Sequence, residues 1–203
     1  MDQIIKNTIE ALRKNNFDVK YFENSKEAVQ EILKEIKPED IVGIGGSMTI
    51  KELQIDTLLK ARGNTVHWHW LEANLEDMNK ARKSANQSDV YLTSTNALTQ
   101  DGKLVNTDGM GNRVAAMFYG PKKTIVVCGI NKIAENVDSA LERIEMNAYK
   151  NARRLKLNTP CAINESCNDC SSPQRMCNIT TIIRKKPMQK DITVILINEE
   201  LGF

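Results

Sequence analysis

The hydrophobic pattern of the chain alternates between strand-like and helical segments. Short apolar runs bounded by turn residues predict strands at residues 17–22, 40–44, 66–71, 90–94 and 124–128. Apolar residues at helical spacing predict helices at residues 4–12, 25–36, 49–60, 76–86, 114–119 and 138–155. Such an alternation is typical of a mostly parallel sheet that is covered by helices on both faces.

Two regions interrupt this alternation. A turn signal at residues 100–103 lies between short apolar runs, which predicts a small hairpin inserted at the end of a sheet strand. From Pro160 the composition changes, because four cysteines precede two closing strands at 180–183 and 192–197. We therefore predict one α/β domain over residues 1–203, with an inserted hairpin and a cysteine-rich segment at 159–178.

The predicted strand at 66–71 contains two histidines that alternate with two tryptophans. In a strand, His67 and His69 would share one face and Trp68 and Trp70 the other. A half-exposed strand is the simplest interpretation, and a His-x-His metal pair is the alternative.

The overall composition narrows the range of partners. A net charge of +2 and 5% aromatic residues argue against a nucleic-acid surface. No apolar run approaches the ~20 residues of a membrane span, and the amphipathic first segment lacks the apolar core of a signal peptide. Five cysteines, an odd number, favour a reducing compartment. We expect a cytoplasmic protein that binds neither nucleic acid nor membrane.

A glycine-rich turn joins the strand at 40–44 to the following helix. Gly45 and Gly46 let the backbone approach a ligand closely, and Ser47 and Thr49 add hydroxyl groups. Amides at a helix start favour an anion, so the turn predicts a binding site for a small anionic molecule. The spacing matches neither the P-loop nor G-x-G-x-x-G. The alternative is a tight turn with a capping serine.

A second polar segment follows the strand at 90–94. Its polar residues Asn96, Asn106, Asp108, Asn112 and Arg113 lie just past the predicted end of that strand or in the turns that follow. A cation at a helix start opposes the helix dipole, so Arg113 needs another reason to be there, and holding a phosphate or carboxylate is one. The alternative is a set of turn-forming residues.

Two carboxylates are candidates for acid–base catalysis. Asp108 could act as a general base or pair with Arg113. Glu52 follows the glycine turn, where it could transfer protons or complete a capping box. Both interpretations remain open for each residue.

The cysteine-rich segment has the composition of a metal site. Its four thiols are Cys161, Cys167, Cys170 and Cys177, and a two-residue gap separates the middle pair. Four thiolates suit a [4Fe–4S] cluster or a structural Zn²⁺ ion. Reduced bystander thiols or redox disulfides are the alternatives.

Together these motifs resemble the lactate-utilisation (LUD) domain family. The resemblance covers nearly the whole chain and is carried by residues 44–49, 95–97, 101–102, 105–106, 108–109, 111–115, 127–132 and 151–155. The cysteine pattern, with Pro160 before it and Ser-Pro-x-Arg at 172–175, is similar to the tail of one LUD subgroup.

The resemblance implies a fold similar to ribose-5-phosphate isomerase, glucosamine-6-phosphate deaminase and the CoA transferases. That fold is a Rossmann-like three-layer α/β/α sandwich whose pocket lies between the two polar loops. By this resemblance, Gly45, Gly46 and Ser47 would hold a phosphate and Asp108 would be the acid. Some family members belong to operons that oxidise L-lactate to pyruvate beside iron–sulfur partner subunits.

The sequence thus predicts a role in lactate utilisation, or the binding or transformation of a small anionic metabolite such as a sugar phosphate or CoA-type ligand. One alternative is a non-catalytic accessory or electron-transfer subunit that docks to an iron–sulfur partner subunit. Another is a metabolite-sensing or purely structural domain. Fold kinship supplies no reaction, so catalysis stays open, as does assembly into a homo-oligomer.

Overall fold

The structure is a computed structural model that describes residues 1–203. Its helices are α1 (Gln3–Lys14), α2 (Ser25–Glu35), α3 (Met48–Glu52), α4 (Ile55–Ala61), α5 (Leu75–Ala85), α6 (Asn112–Phe118), α7 (Val137–Arg154) and α8 (Pro160–Asn164). Its strands are β1 (Asp18–Phe22), β2 (Val42–Ile44), β3 (Val66–His67), β4 (Val90–Thr93), β5 (Ala97–Thr99), β6 (Leu104–Asp108), β7 (Lys123–Gly129), β8 (Ile133–Ala134), β9 (Ile179–Ile183) and β10 (Asp191–Ile197).

The main sheet has six strands in the order β1-β10-β7-β4-β2-β3, and every neighbouring pair is parallel. Parallel strands need crossover connections, and helices supply most of them here. The predicted Rossmann-like α/β fold with a mostly parallel sheet is therefore confirmed. No helix is both long enough and apolar enough to cross a lipid bilayer.

Both faces of the main sheet are buried, because successive side chains of a strand point to opposite sides. Along β7, Ile125 and Val127 pack into the layer that contains α2, α3 and α4. Val126 and Cys128 pack into the opposite layer with α1, α6 and the hairpin. This two-sided burial explains why the central strands are continuous apolar runs.

The predicted hairpin is present and forms part of a second sheet. Strands β5 and β6 pair antiparallel, with Leu98 beside Leu104. Strand β8 joins β5 in parallel, and β9 joins β6 antiparallel, which gives the order β8-β5-β6-β9. The strand predicted at 180–183 therefore belongs to this sheet, whereas the strand predicted at 192–197 is β10 of the main sheet.

Two predicted elements differ from the structure. The helix predicted at 49–60 is divided into α3 and α4, because Gln54 adopts a left-handed conformation with φ of 52°. The strand predicted at 66–71 ends after His67, and a 3₁₀ turn follows at His69–Leu71. The prediction that His67 and His69 share a strand face is therefore wrong. Trp68, which lies between the strand and the turn, is buried.

The topology determines where a site can form. Strands β2, β4 and β7 are neighbours in the parallel sheet, so the loops that follow them emerge at one edge. Ligands of open α/β sheets bind outside the carboxyl ends of the strands. The loops concerned contain the glycine turn, the start of the polar segment and residues 130–132.

A close approach between β2 and α5 makes Gly43 sensitive to substitution. A Cβ atom at Gly43 would lie 2.4 Å from the carbonyl oxygen and 2.8 Å from the Cα atom of Ala85. These are backbone atoms, so we expect Gly43→Ala to lower the free energy of unfolding by about 1–3 kcal/mol in denaturant titrations.

The matched control is Gly46→Ala in the same turn. Its Cβ atom would lie 3.4 Å from Cζ2 of Trp70, which is an ordinary contact. We expect its stability to remain close to that of the wild type. Equal losses in the two variants would contradict the packing described here.

Candidate anion-binding site

A cavity of about 610 Å³ opens at this edge of the main sheet. The glycine turn, the polar segment, α7 and the cysteine-rich segment all contribute to its wall. Six of the ten residues predicted for the anion site and its acid–base chemistry line it: Gly46, Ser47, Asn96, Asp108, Asn112 and Arg113. The structure therefore brings the two polar loops together around one space.

The glycine turn caps a helix, and two of its backbone amides stay free of backbone acceptors. The Ser47 hydroxyl accepts a hydrogen bond from the amide of Ile50 at 3.2 Å, so Ser47 caps α3 as the alternative interpretation requires. The amides of Gly46 and Ser47 have no backbone acceptor in the protein. A Cβ atom at Gly45 would lie 2.8 Å from Oη of Tyr91 and 3.0 Å from Cγ of Arg113. Gly45 therefore permits this close packing behind the cavity wall.

A buried ion pair lies at the centre of the polar segment. Arg113 donates from Nε to Oδ1 of Asp108 at 2.9 Å, and its Nη2 lies 2.7 Å from the same oxygen. The other oxygen of Asp108 accepts from the amide of Val114 at 3.1 Å. The carboxylate therefore compensates the cation at the start of α6, which explains why a helix dipole tolerates Arg113 there.

Two asparagines complete this network. Nη1 of Arg113 donates to Oδ1 of Asn106 at 2.7 Å, and Nη2 donates to Oδ1 of Asn96 at 2.8 Å. Asn106 also accepts from the amide of Asn96 at 3.0 Å, which ties the loop after β4 to β6. Carbonyl groups of Ser94 and Thr107 accept as well, so the guanidinium is surrounded by acceptors of the protein. Arg113 is thus placed to fix the shape of the cavity.

Four other cationic side chains line the cavity without an ion-pair partner. They are Arg82, Lys132, Arg143 and Arg154. None of them lies within ion-pair distance of a carboxylate. Burial lowers the pKa of each, since it penalises the charged form. The cavity therefore concentrates positive charge that the protein does not neutralise.

Lys132 is the residue that the sequence analysis missed. Its side chain is 4% exposed, and Nζ donates to Oγ1 of Thr49 at 2.9 Å and to Oγ of Ser94 at 2.8 Å. Burial, with a smaller contribution from the charges of Arg143 and Arg113, lowers the pKa of Lys132 to about 8. The available signal was its position just after a buried strand, at the carboxyl edge of the predicted sheet.

An aromatic surface lies directly against the glycine turn at Gly46. The Trp70 ring stacks on Trp68 with centroids 5.1 Å apart, and the guanidinium of Arg154 lies 4.3 Å from the Trp70 ring centroid. His69 also lines the cavity. Burial and the charges of Arg82 and Arg154 lower the pKa of His69 to about 4, so its imidazole is neutral near pH 7.

The other four residues predicted for the anion site lie outside the cavity wall: Gly45, Thr49, Glu52 and Asn106. Thr49 is fully buried and contacts the cavity through its hydrogen bonds with Lys132 and Ser94. Glu52 is exposed, and its Oε2 accepts from the amide of Gly202 at 2.7 Å. The structure thus places the two carboxylates proposed for acid–base catalysis in different surroundings, with only Asp108 at the cavity.

The cysteine-rich segment forms part of the same wall through Cys177. The other three thiols, Cys161, Cys167 and Cys170, lie near enough for their negative charge to raise the pKa of Cys177, although burial is the larger cause. No three His, Cys, Asp or Glu side chains converge as metal ligands would. As they lie, the four thiols do not form a metal site, and the metal assignment stays a prediction.

Comparison with known proteins identifies the family. The LUD domain family matches residues 5–197, so the chain belongs to it, and this membership supports a role related to lactate utilisation in general. The chain is similar to the crystal structure of a DUF162 family protein from Deinococcus radiodurans, with a TM-score of 0.56 and 12% identity. That match covers 96% of both chains and supports the fold. No curated protein matches the chain.

The ion pair makes Asp108 the most sensitive carboxylate of the site. In Asp108→Asn, Arg113 would remain buried without a compensating charge, so we expect the free energy of unfolding to fall by about 3–5 kcal/mol. The control is Asp101→Asn, because Asp101 pairs with Lys103 at the surface and should contribute no more than about 1 kcal/mol. Equal effects in denaturant titrations would contradict a structural role for the buried pair.

Proposed function

We propose that this LUD domain protein binds a small anionic metabolite in the cavity and acts on it in lactate utilisation. The observation that carries the proposal is the set of unpaired cationic side chains around one space, with Asp108 already paired to Arg113. Like charges held together in a partly buried site repel one another, and an anion of matching size relieves that repulsion. The protein is therefore built to favour a negatively charged occupant.

The size and lining of the cavity narrow the class of ligand. About 610 Å³ lies within the roughly 300–1,000 Å³ of small-molecule sites. Sugar phosphates, CoA-type ligands and hydroxy acids all present a phosphate or carboxylate that arginine can bind through two parallel hydrogen bonds. The Trp70 surface offers a contact for the uncharged part of such a molecule.

Binding has more geometric support than acid–base catalysis. Both oxygens of Asp108 accept from the protein, and Oδ2, which accepts from the Val114 amide alone, is the oxygen left for proton transfer. Proton transfer by Glu52 requires a ligand that reaches beyond the cavity wall. Asp108 therefore stays our candidate acid or base at the cavity, and Glu52 is the less favoured candidate.

A thermal-shift titration with Arg82→Gln tests the binding site. We expect L-lactate, phosphate or ribose 5-phosphate to raise the melting temperature of the wild type. We expect Arg82→Gln to weaken binding roughly tenfold or more, because a hydrogen bond to a charged group contributes about 1.5–3 kcal/mol.

The matched control is Lys83→Gln, which removes a neighbouring positive charge on the exposed side of α5. It should bind the same anions with unchanged affinity. If no anion shifts the melting temperature of the wild type, or if both variants weaken binding equally, the proposed site is wrong.

A second candidate function is supported by the proximity of the four thiols. We propose that the segment at 159–178 binds a [4Fe–4S] cluster, or structural Zn²⁺ in its place, and contacts an iron–sulfur partner subunit as an accessory component. The support for this proposal is the proximity of the other three thiols to Cys177, together with Arg175, which donates to the carbonyl oxygens of Cys170 and Cys177. A modest rearrangement of this irregular segment would be needed to bring the sulfur atoms together.

Anaerobic purification with metal analysis and an absorption spectrum tests this candidate. We expect a brown protein with stoichiometric iron and sulfide, and loss of the iron in Cys167→Ser and Cys170→Ser, since thiolates ligate such clusters. Cys128→Ala is the control, because Cys128 is fully buried in the core. A colourless zinc protein would remove the electron-transfer role, and a metal-free protein would remove the metal site.

A further inference from the structure

The amine of Lys132 is held in an arrangement that no other part of the site explains. A buried ammonium group is normally paired with a carboxylate, because isolated charge is costly in a protein interior. Here the partners of Nζ are the hydroxyl oxygens of Thr49 and Ser94, at 2.9 Å and 2.8 Å. Both partners are themselves buried, so the amine is held in position by side chains of the protein.

The hydroxyl pair leaves one direction of the nitrogen open. An ammonium group has three N–H bonds, and the protein provides acceptors for two of them. Lys132 lines the cavity, and no acceptor of the protein takes the third N–H. When the group is neutral, the same two hydrogen bonds can be kept and the lone pair takes that direction.

We propose that Lys132 forms an imine with a small carbonyl compound that carries a carboxylate or phosphate. The inference rests on the proposed function, because the unpaired arginines of the cavity would hold the anionic group of this compound. The neutral amine attacks the carbonyl carbon, the carbonyl oxygen leaves as water, and a carbon–nitrogen double bond replaces the carbon–oxygen one. No oxidant or reductant is needed for this step.

The surroundings of the amine favour its nucleophilic form. Arg143 on α7 and Arg113 on α6 oppose a third positive charge, whereas Cys128 on β7 and Glu52 on α3 favour it. Burial decides the balance, and the pKa of Lys132 falls to about 8. Lysines that form imines are activated in this way, by desolvation or by a neighbouring cation.

Lys190 provides an internal comparison. It is also 4% exposed, and burial lowers its pKa to about 8. Its Nζ donates to the backbone carbonyls of Ala116 and Pro121, and it does not line the cavity. A reaction that needs only a neutral buried amine would make no distinction between the two lysines, whereas a reaction in the cavity would select Lys132.

Reductive trapping of the wild-type protein tests the proposal. The protein is incubated with pyruvate or with ribose 5-phosphate, treated with borohydride, and analysed by intact mass and peptide mapping. With pyruvate we expect a mass gain equal to pyruvic acid less one oxygen atom, located on Lys132 and absent from Lys190. Trapping should increase as the pH rises through about 8, because the amine loses its proton there.

Variants and non-carbonyl anions separate this inference from the proposed function. Lys132→Arg should abolish trapping while Lys190→Arg retains it, and the peptide map of the wild type decides the matter even if a variant fails to fold.

L-lactate and phosphate have no carbonyl group that can form an imine. If they shift the melting temperature but neither carbonyl compound is trapped on Lys132, the imine is wrong and the anion site stands. If no anion binds, both fail, and labelling spread over surface lysines also overturns the imine.

Discussion

The buried ion pair between Arg113 and Asp108 links the main sheet of this protein to the second sheet. The same guanidinium donates to Asn96, in the loop that follows β4 of the main sheet, and to Asn106, in β6 of the second sheet. Removing either charge would leave the other buried alone, so the pair resists substitution even where its net contribution to stability is small. The shape of the cavity depends on this network, because the network ties the loop after β4 to β6 and packs against Gly45 of the glycine turn.

The ion pair also determines the electrostatic character of the site. It uses the one carboxylate that lines the cavity and leaves Arg82, Arg143, Arg154 and Lys132 without a counter-charge. Such an imbalance lowers the stability of the empty protein and is tolerated where a ligand supplies the missing charge. The anion binding and the imine chemistry that we propose both rest on this one arrangement.

Membership of the LUD domain family supports a role related to lactate utilisation in general, and the similarity to the Deinococcus radiodurans protein supports the fold. They do not specify a reaction, since one fold supports many chemistries. The residues of the cavity supply the more specific argument. Cys177 lines the cavity, so a metal or redox change in the cysteine-rich segment would alter the surroundings of the proposed ligand.

The sequence by itself determined the parallel sheet, the inserted hairpin and the two polar loops, because these depend on local periodicity and on glycine and turn residues. It also indicated that Ser47 or Thr49 caps a helix, which Ser47 does. Only the tertiary structure decided that β9 pairs with β6, that Glu52 lies outside the cavity, and that Lys132 contacts Thr49 and Ser94. These contacts join residues that are far apart in the chain. Hydrophobic periodicity indicates which face of an element a residue occupies, but it does not indicate which distant side chain that residue contacts.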